Sequence, residues 1–184
     1  TFVHPKQLVP AEITELTSIT NADVADAPSA VEAVAALADF VGGCPVIAHN
    51  ATFDRSFIES VKGGVNVSDI WIDSLALSRI ALPRLISHKL SFMADLFGCD
   101  SVSHRANADV DALCGVWRVL LVALTDLPSG LMARLADMHA DVPWSYRPIF
   151  SFLAGQNPGS IFSLSAARAD VLKADRAHDR VDAD

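Results

Sequence analysis

The chain has 184 residues, of which 51% are hydrophobic and 20% are charged, and 14 Lys and Arg against 22 Asp and Glu give a formal net charge of −8. This composition excludes disorder over most of the length and predicts one domain with a buried core, because the apolar fraction is high. The acidic balance argues against a protein that holds nucleic acid mainly by bulk positive charge, but it leaves open an enzyme that reaches phosphates through metal ions.

The first part of the chain alternates short apolar runs with helical patterns. Residues 1–5 predict the end of a strand stopped by proline, and residues 10–16 predict a short helix that proline opens. A capping box at residues 29–32 precedes apolar residues at helical spacing, which end at the glycines of positions 42–43. The apolar run at residues 44–49 does not alternate, so it predicts a strand buried on both faces.

The second part continues this alternation. A helix is expected from about residue 51 to the glycines at 63–64, followed by a strand at residues 70–73. Helical segments broken at Pro83 and Gly98 come next. The long helix expected over residues 107–125 carries an apolar stripe, formed by Leu113, Val116, Leu120 and Leu124. Strands that alternate with helices indicate an α/β fold.

Two observations bear on the cellular compartment of the protein. The longest aliphatic run, residues 119–124, is far shorter than a membrane-spanning helix requires, so no membrane partner is expected. Cys44, Cys99 and Cys114 are odd in number and widely spaced, and they form neither a disulfide framework nor a zinc knuckle. A reducing, cytoplasmic compartment is therefore expected.

Polar residues that could take part in catalysis or metal binding lie at two places. Asp54 falls just beyond a predicted strand, in the first turn of the next helix, where α/β sheets bind their ligands. The simpler interpretation is that Asp54 complements the helix dipole. His104 and Asp109 flank the start of the long helix, where an imidazole could take a proton and a carboxylate could bind magnesium or manganese. The simpler interpretation there is a surface histidine and an ordinary helix-start aspartate.

Taken together, the two places resemble a known pair of motifs. The pattern H-N-x-x-F-D at residues 49–54 and the pattern H-x-x-x-x-D at residues 104–109 are similar to the second and third motifs of the DEDDh exonucleases. These are proofreading-type 3′–5′ exonucleases related to the epsilon subunit of bacterial DNA polymerase III. The resemblance implies an α/β fold of the ribonuclease-H-like type, a mixed sheet flanked by helices.

More of the chain agrees with this resemblance, which covers roughly residues 1–125. The segment L-T-S-I-T at residues 16–20 resembles the family's L-T-G-I-T, with Ser18 in place of the usual glycine. Residues 71–99 resemble the family's run from its fifth strand to the helix pair before the third motif. Within that run, the sequences D-S-L-A-L-S-R-I-A-L-P and S-H-K-L are most similar to exonuclease modules fused to some bacterial damage-inducible helicases.

The resemblance implies roles for seven residues. Asp54 and Asp109 would be ligands of two Mg²⁺ or Mn²⁺ ions, and His104 would be the general base that deprotonates the attacking water. Asn50, Phe53, Thr17 and Ile19 would shape the pocket of the terminal nucleotide, although ordinary packing explains Phe53 and Ile19 equally well. The implied partners are a single-stranded or frayed 3′ end of nucleic acid and a fused or associated helicase or polymerase.

One part of the family pattern has no match in the chain. The family's first motif, D-x-E on its first strand, is absent, so we expect a ribonuclease-H-like domain that lacks its first two strands. The expected organisation is an N-terminally incomplete exonuclease domain at residues 1–126, a helical or irregular extension at 127–165 and a polar tail at 166–184. We expect a fragment of a longer reading frame, or edges completed by another chain, with little activity in isolation. The alternative is a non-catalytic remnant that binds nucleic acid or docks on a protein.

Overall fold

A computed structural model describes residues 1–103, 105–138 and 140–155 of the chain. These residues divide into two compact units. The first unit consists of residues 1–73 with 103–107, and the second consists of residues 74–102 with those from 108 onward. The polar tail predicted for residues 166–184 lies outside the described residues.

The first unit is a small parallel sheet with helices. Its two strands are parallel, with Ala48 paired to Asp73, so the carboxyl ends of both strands lie at the same edge of the sheet. The elements in chain order are helices α1 (Ala11–Thr17), α2 (Asn21–Val24) and α3 (Ala30–Val41), strand β1 (Val46–Ala48), helix α4 (Ala51–Glu59), a 3₁₀ turn (Gly64–Asn66) and strand β2 (Trp71–Asp73). The α/β prediction is confirmed at this level, whereas the larger mixed sheet stays a prediction.

Helix α3 forms as the sequence predicts. The Ser29 hydroxyl accepts a hydrogen bond from the backbone N–H of Glu32, and the Glu32 carboxylate accepts one from the Ser29 N–H at 2.8 Å. The Ser29 hydroxyl and N–H both lower the pKa of the Glu32 carboxyl. Gly42 ends the helix with φ +56°, a conformation that residues with a Cβ rarely adopt.

The hydrophobic core of the first unit lies around Trp71. This side chain is buried with Val34, Ala51 and Val67, and its indole N–H donates to the Ser68 carbonyl at 3.1 Å. Strand β1 is only half-buried, which contradicts the expected burial on both faces. Within the described residues β1 pairs with β2 alone, so its other edge has no strand to cover it.

Two boundaries in the first unit differ from the predictions. Residues 1–5 form no strand; the His4 N–H donates to the Pro28 carbonyl at 2.8 Å, but a strand needs a continuous ladder with a neighbour. Helix α4 ends at Glu59, before the glycines, and the chain then brings Gly64 close to the carbonyl of Ile58 in the last turn of the helix. A Cβ atom at Gly64 would overlap the carbonyl of Ile58, so glycine is required for this turn.

The second unit is helical. Its helices are α5 (Ser74–Ala81), α6 (Leu90–Phe97), α7 (Ala106–Thr125, whose first residues belong to the first unit), α8 (Ser129–Asp137) and α9 (Arg147–Gly155). The predicted stripe of α7 is confirmed at Val116, Leu120 and Leu124, whereas Leu113 is half-buried and Ala112 is buried instead. Across the described ranges, no helix is both long and apolar enough to cross a membrane.

Helix α9 lies within residues 127–165, which the sequence predicted to be helical or irregular. Pro148 is the second residue of the helix, where its missing N–H removes no intrahelical hydrogen bond. Phe150 is fully buried in the core that also contains Leu77, and Trp144 stacks on it with 5.5 Å between ring centroids. The boundary at residue 126 between domain and extension stays a prediction.

A close approach fixes the end of α6 against α7. The Gly115 backbone on α7 lies so near Cys99 that a Cβ at position 115 would be 2.8 Å from the Cys99 sulfur. Burial raises the pKa of the Cys99 thiol, and the charge of Asp100 raises it further. Cys99 is therefore a packing residue that remains a thiol at neutral pH.

Candidate functional site

The residues of the predicted second motif lie at the carboxyl-terminal edge of the small sheet. β1 ends at Ala48, and Asn50 turns the chain into α4 with φ +70°, in the left-handed region. The backbone N–H of Asn50 donates to the Asp73 carboxylate at 2.9 Å. Asp54 follows in the first turn of α4. The parallel register thus brings polar groups from two strands to one edge, the usual ligand side of an α/β sheet.

The electrostatics of this edge suit a cation. Partial burial raises the pKa of the Asp54 carboxyl, and the nearby charge of Asp73 raises it further. The N–H of Asp54 itself and a charge on His49 act in the opposite direction. Two carboxylates that repel one another in a partly desolvated place gain most from a divalent ion between them.

Asp73 is a candidate site residue that the sequence patterns did not identify. The strand at residues 70–73 was predicted, but its last residue was not assigned a role. Asp73 is the carboxyl-terminal residue of β2, which pairs in parallel with the strand before Asp54. The rule that ligands collect beyond the carboxyl ends of parallel strands could have identified it.

An aromatic pair lies on α4 beside Asp54. Phe53 and Phe57 are 60% and 63% exposed, respectively. Their ring centroids are 4.9 Å apart, one helical turn from each other. Exposed aromatic rings of this kind are chemically suited to stack on bases. The assignment of Phe53 to the nucleotide pocket stays a prediction.

The turn after α1 contains the other two residues of the predicted pocket. Thr17 donates its hydroxyl proton to the Ile13 carbonyl at 2.7 Å, and the same hydroxyl accepts the Ile19 N–H at 3.2 Å. Ser18 has φ +58°, which explains why the resembling family uses glycine at this point. The Thr17 hydroxyl therefore shapes the turn, and contact with a nucleotide stays a prediction for Thr17 and Ile19.

The structure describes residues 105–109 of the third motif. His104 lies outside the described residues. Arg105, the next residue, donates from Nε to the Thr17 carbonyl at 3.0 Å and from Nη2 to the Ser18 carbonyl at 3.1 Å. Asp109 is half-buried in the first turn of α7 and belongs to the second unit. Within the first unit, the structure thus brings Asp54 together with Asp73, and Arg105 together with the Thr17–Ile19 turn.

The residues fit one side of a site for a hard cation. The Asp54 carboxylate has the oxygen atoms that Mg²⁺ and Mn²⁺ prefer as ligands, and the Asp73 carboxylate adds negative charge near it. Among the residues that the structure describes, no group of three or more His, Cys, Asp and Glu side chains could hold a metal ion. Magnesium commonly keeps several waters and binds through one or two carboxylates together with substrate phosphates, so two carboxylates are a chemically reasonable half of the site.

Comparison with known proteins points the same way. Residues 1–117 match the model of the RNase_T family, described as Exonuclease. The PolC-type DNA polymerase III of Caldanaerobacter subterraneus subsp. tengcongensis is 35% identical over 149 residues, which cover 75% of this chain and 11% of that protein. The Clostridium perfringens PolC-type enzyme is 36% identical over 111 residues, or 59% of this chain and 8% of that protein.

The similarity concerns a small part of each relative. The PolC-type DNA polymerase III of Halalkalibacterium halodurans is 35% identical over 86 residues, which cover 44% of this chain and 6% of that protein. Across the three relatives, the chain corresponds to between 6% and 11% of the relative's length. The polymerases therefore contain a segment like this chain within much longer proteins.

Proposed function

Because the chain belongs to the RNase_T exonuclease family, we propose that it is a metal-dependent exonuclease domain that removes nucleotides from the 3′ end of DNA or RNA. The resemblance to the DEDD exonucleases is confirmed by that membership, and nuclease function in general follows from it. The observation that supports metal dependence is the pair Asp54 and Asp73 at the ligand edge of the parallel strands. The 3′–5′ polarity rests on the motifs.

In this proposal two aspartates hold the metal and a histidine moves the proton. Asp54 and Asp109 would hold Mg²⁺ or Mn²⁺, which would supply positive charge that stabilises a reacting phosphate. His104 accepts the proton of the attacking water, because an imidazole is half-protonated near neutral pH. Asp73 acts as a positioning residue, since its bond to the Asn50 N–H fixes the turn from which Asp54 projects.

The terminal nucleotide contacts the residues around this edge. The exposed ring of Phe53 stacks on a base, which is sequence-tolerant because every base has a π-face. Asn50 and the turn carrying Thr17 and Ile19 complete the pocket. Base stacking and metal-held phosphate would let a chain with a net charge of −8 act on nucleic acid without relying on bulk positive charge.

We further propose a polymerase as the partner or fused neighbour of the domain. The relatives described above are DNA polymerases III of the PolC type. An exonuclease beside a polymerase would act on a frayed 3′ end, which is a single-stranded substrate. A replicative role would place the protein in the cytoplasm, as its thiols suggested. The predicted resemblance to helicase-fused modules is the alternative association.

The proposal is tested on single-stranded DNA with the full reading frame that encodes the chain. With a 5′ label, stepwise shortening in the presence of Mg²⁺ or Mn²⁺ and its loss on chelation are expected. We expect Asp54→Asn and Asp109→Asn each to lower the rate by about 100-fold or more, because a metal ligand is lost. Immediate release of a 5′-terminal label as mononucleotide would instead show the opposite polarity.

Matched variants separate ligand loss from general damage. Asp69→Asn, on the exposed turn before β2, and Asp111→Asn, on the exposed side of α7, remove the same charge away from the assigned ligands. Both controls are expected to keep nearly the wild-type rate. Equal rates in all four variants would contradict the roles of Asp54 and Asp109. A full-length protein without chelator-sensitive activity would favour the non-catalytic remnant.

A further inference from the structure

Helix α1 has little of its own to hold it in place. None of its seven residues, Ala11–Thr17, is buried, and its last turn has no basic residue. The last carbonyls of any helix lack intrahelical donors, and the end of the helix carries partial negative charge. The Thr17–Ile19 turn follows directly, so its position depends on what satisfies this helix end.

Arg105 supplies the missing donors from a distant part of the sequence. Its guanidinium donates to the Thr17 carbonyl at 3.0 Å and to the Ser18 carbonyl at 3.1 Å. The two residues it contacts lie 88 and 87 positions earlier in the chain. A planar guanidinium can make two directed bonds at once, which a lysine ammonium cannot reproduce with the same geometry.

The same charge acts on the capping box of α2. The Thr20 hydroxyl and N–H lower the pKa of the Asp23 carboxyl, and the positive charge of Arg105 lowers it further. Arg105 therefore stands near the start of α2 as well as at the end of α1. Arg105 thus donates to the carbonyls of Thr17 and Ser18 and places its charge near the Asp23 carboxylate.

We propose that Arg105 is a positioning residue that fixes the Thr17–Ile19 turn and thereby sets how tightly the 3′-terminal nucleotide binds. The nucleotide part rests on the proposed function, since Thr17 and Ile19 contact a nucleotide only if the domain is an exonuclease. Arg105 follows the proposed base His104 in the sequence. One side chain thus ties the turn of the nucleotide pocket to the segment that carries the third motif.

The claim that Arg105 fixes the Thr17–Ile19 turn is tested by amide hydrogen exchange, which does not require enzyme activity. The Ser18 N–H donates to Thr14 and the Ile19 N–H donates to the Thr17 hydroxyl, so both amides report on the turn. In Arg105→Gln we expect both to exchange about ten-fold faster, and in Arg105→Lys to exchange at an intermediate rate. Arg84→Gln, on an exposed loop of the second unit, serves as the control. Unchanged exchange in Arg105→Gln would overturn the proposal.

The nucleotide half is tested by steady-state kinetics of the full-length protein on single-stranded DNA. We expect Arg105→Gln to raise KM about five-fold and to change kcat by less than about two-fold, because binding rather than chemistry is affected. Faster exchange with an unchanged KM would overturn the link to the nucleotide. If the wild type degrades no nucleic acid, the proposed function fails, whereas faster exchange in Arg105→Gln would still support the positioning of the turn.

Discussion

The two units of the chain are stabilised in different ways. In the second unit, thirteen of the described residues form one buried hydrophobic cluster that includes the full side chain of Phe150. In the first unit, the buried cluster of described residues contains Val34, Ala51, Val67 and Trp71. The first unit depends more on hydrogen bonds near the surface, such as the capping box of Ser29 and the guanidinium of Arg105.

The candidate site residues are divided unevenly between the units. Asp54, Asp73 and the Thr17–Ile19 turn belong to the unit with the smaller core, whereas Asp109 belongs to the second unit. Segments with few buried apolar contacts open locally at low free energy, whereas core helices open only near the global unfolding free energy. We therefore expect substitutions in the second unit to change stability strongly, and those at polar contacts of the first unit to change it modestly and locally.

The largest effect is expected from the core of the second unit. Phe150→Ala removes a fully buried ring and should lower the free energy of unfolding by about 3–5 kcal/mol. Urea denaturation followed by circular dichroism measures the change. Phe152→Ala, on the same helix but 54% exposed, should change the free energy by less than about 0.5 kcal/mol. Similar losses for the two would contradict the placement of Phe150 in the core of the second unit.

A smaller effect is expected at the cap of α3. Ser29→Ala removes an N-cap and should destabilise the protein by about 1 kcal/mol at neutral pH. The pKa of the Glu32 carboxyl is lowered in the fold. The stabilisation by its carboxylate is therefore present above pH 4.5, the ordinary pKa, and is lost as the pH falls through the lowered pKa. The gap between variant and wild type should therefore be smaller in acid, well below pH 4.5, than at neutral pH.

Thermal unfolding at the two pH values measures this gap. The exposed Ser151→Ala on α9 provides a serine-to-alanine control in the second unit. We expect it to leave stability nearly unchanged at both pH values. A gap for Ser29→Ala that widens in acid would contradict the assigned role of the Glu32 carboxylate.

The smallest effect is expected at Ser18, and it has the opposite sign. Ser18→Gly relieves a left-handed backbone at φ +58° and should stabilise the protein by about 0.5 kcal/mol, because glycine's larger unfolded-state entropy offsets part of the gain. Denaturant titration with amide exchange of α1 measures it. Ser60→Gly, at the end of α4 with φ −69°, should destabilise instead. A loss of stability in Ser18→Gly would show that the serine is not strained.

Local sequence signals predicted the elements whose determinants are adjacent in the chain. The caps of α3 and the length of α7 follow from Ser29, Gly42 and the apolar stripe, which need no distant partner. The place of Asp54 beyond β1 also follows from the local pattern of strand and helix. The strand predicted at residues 1–5 failed because strand formation depends on a neighbouring backbone that local sequence does not specify.

The remaining features depend on long-range contacts. The bonds of Arg105 span 87 and 88 positions, and the contact of Asp73 with Asn50 spans 23. No local pattern encodes such pairs, so these contacts became visible only in the structure, although the place of Asp73 at the end of a predicted strand could have marked it as a candidate. For residues 127–165 the sequence left helical and irregular chain open, and the bounds of α9 depend on the burial of Phe150 among residues distant in the sequence.

The close approach of Gly115 to Cys99 has a consequence for how the sequence can change. A methyl group at position 115 would meet the Cys99 sulfur at 2.8 Å, so a larger residue there requires a smaller one at position 99. The two positions therefore form a size-coupled pair whose substitutions are accepted jointly and rejected singly. In related domains, such a pair should vary in a correlated manner.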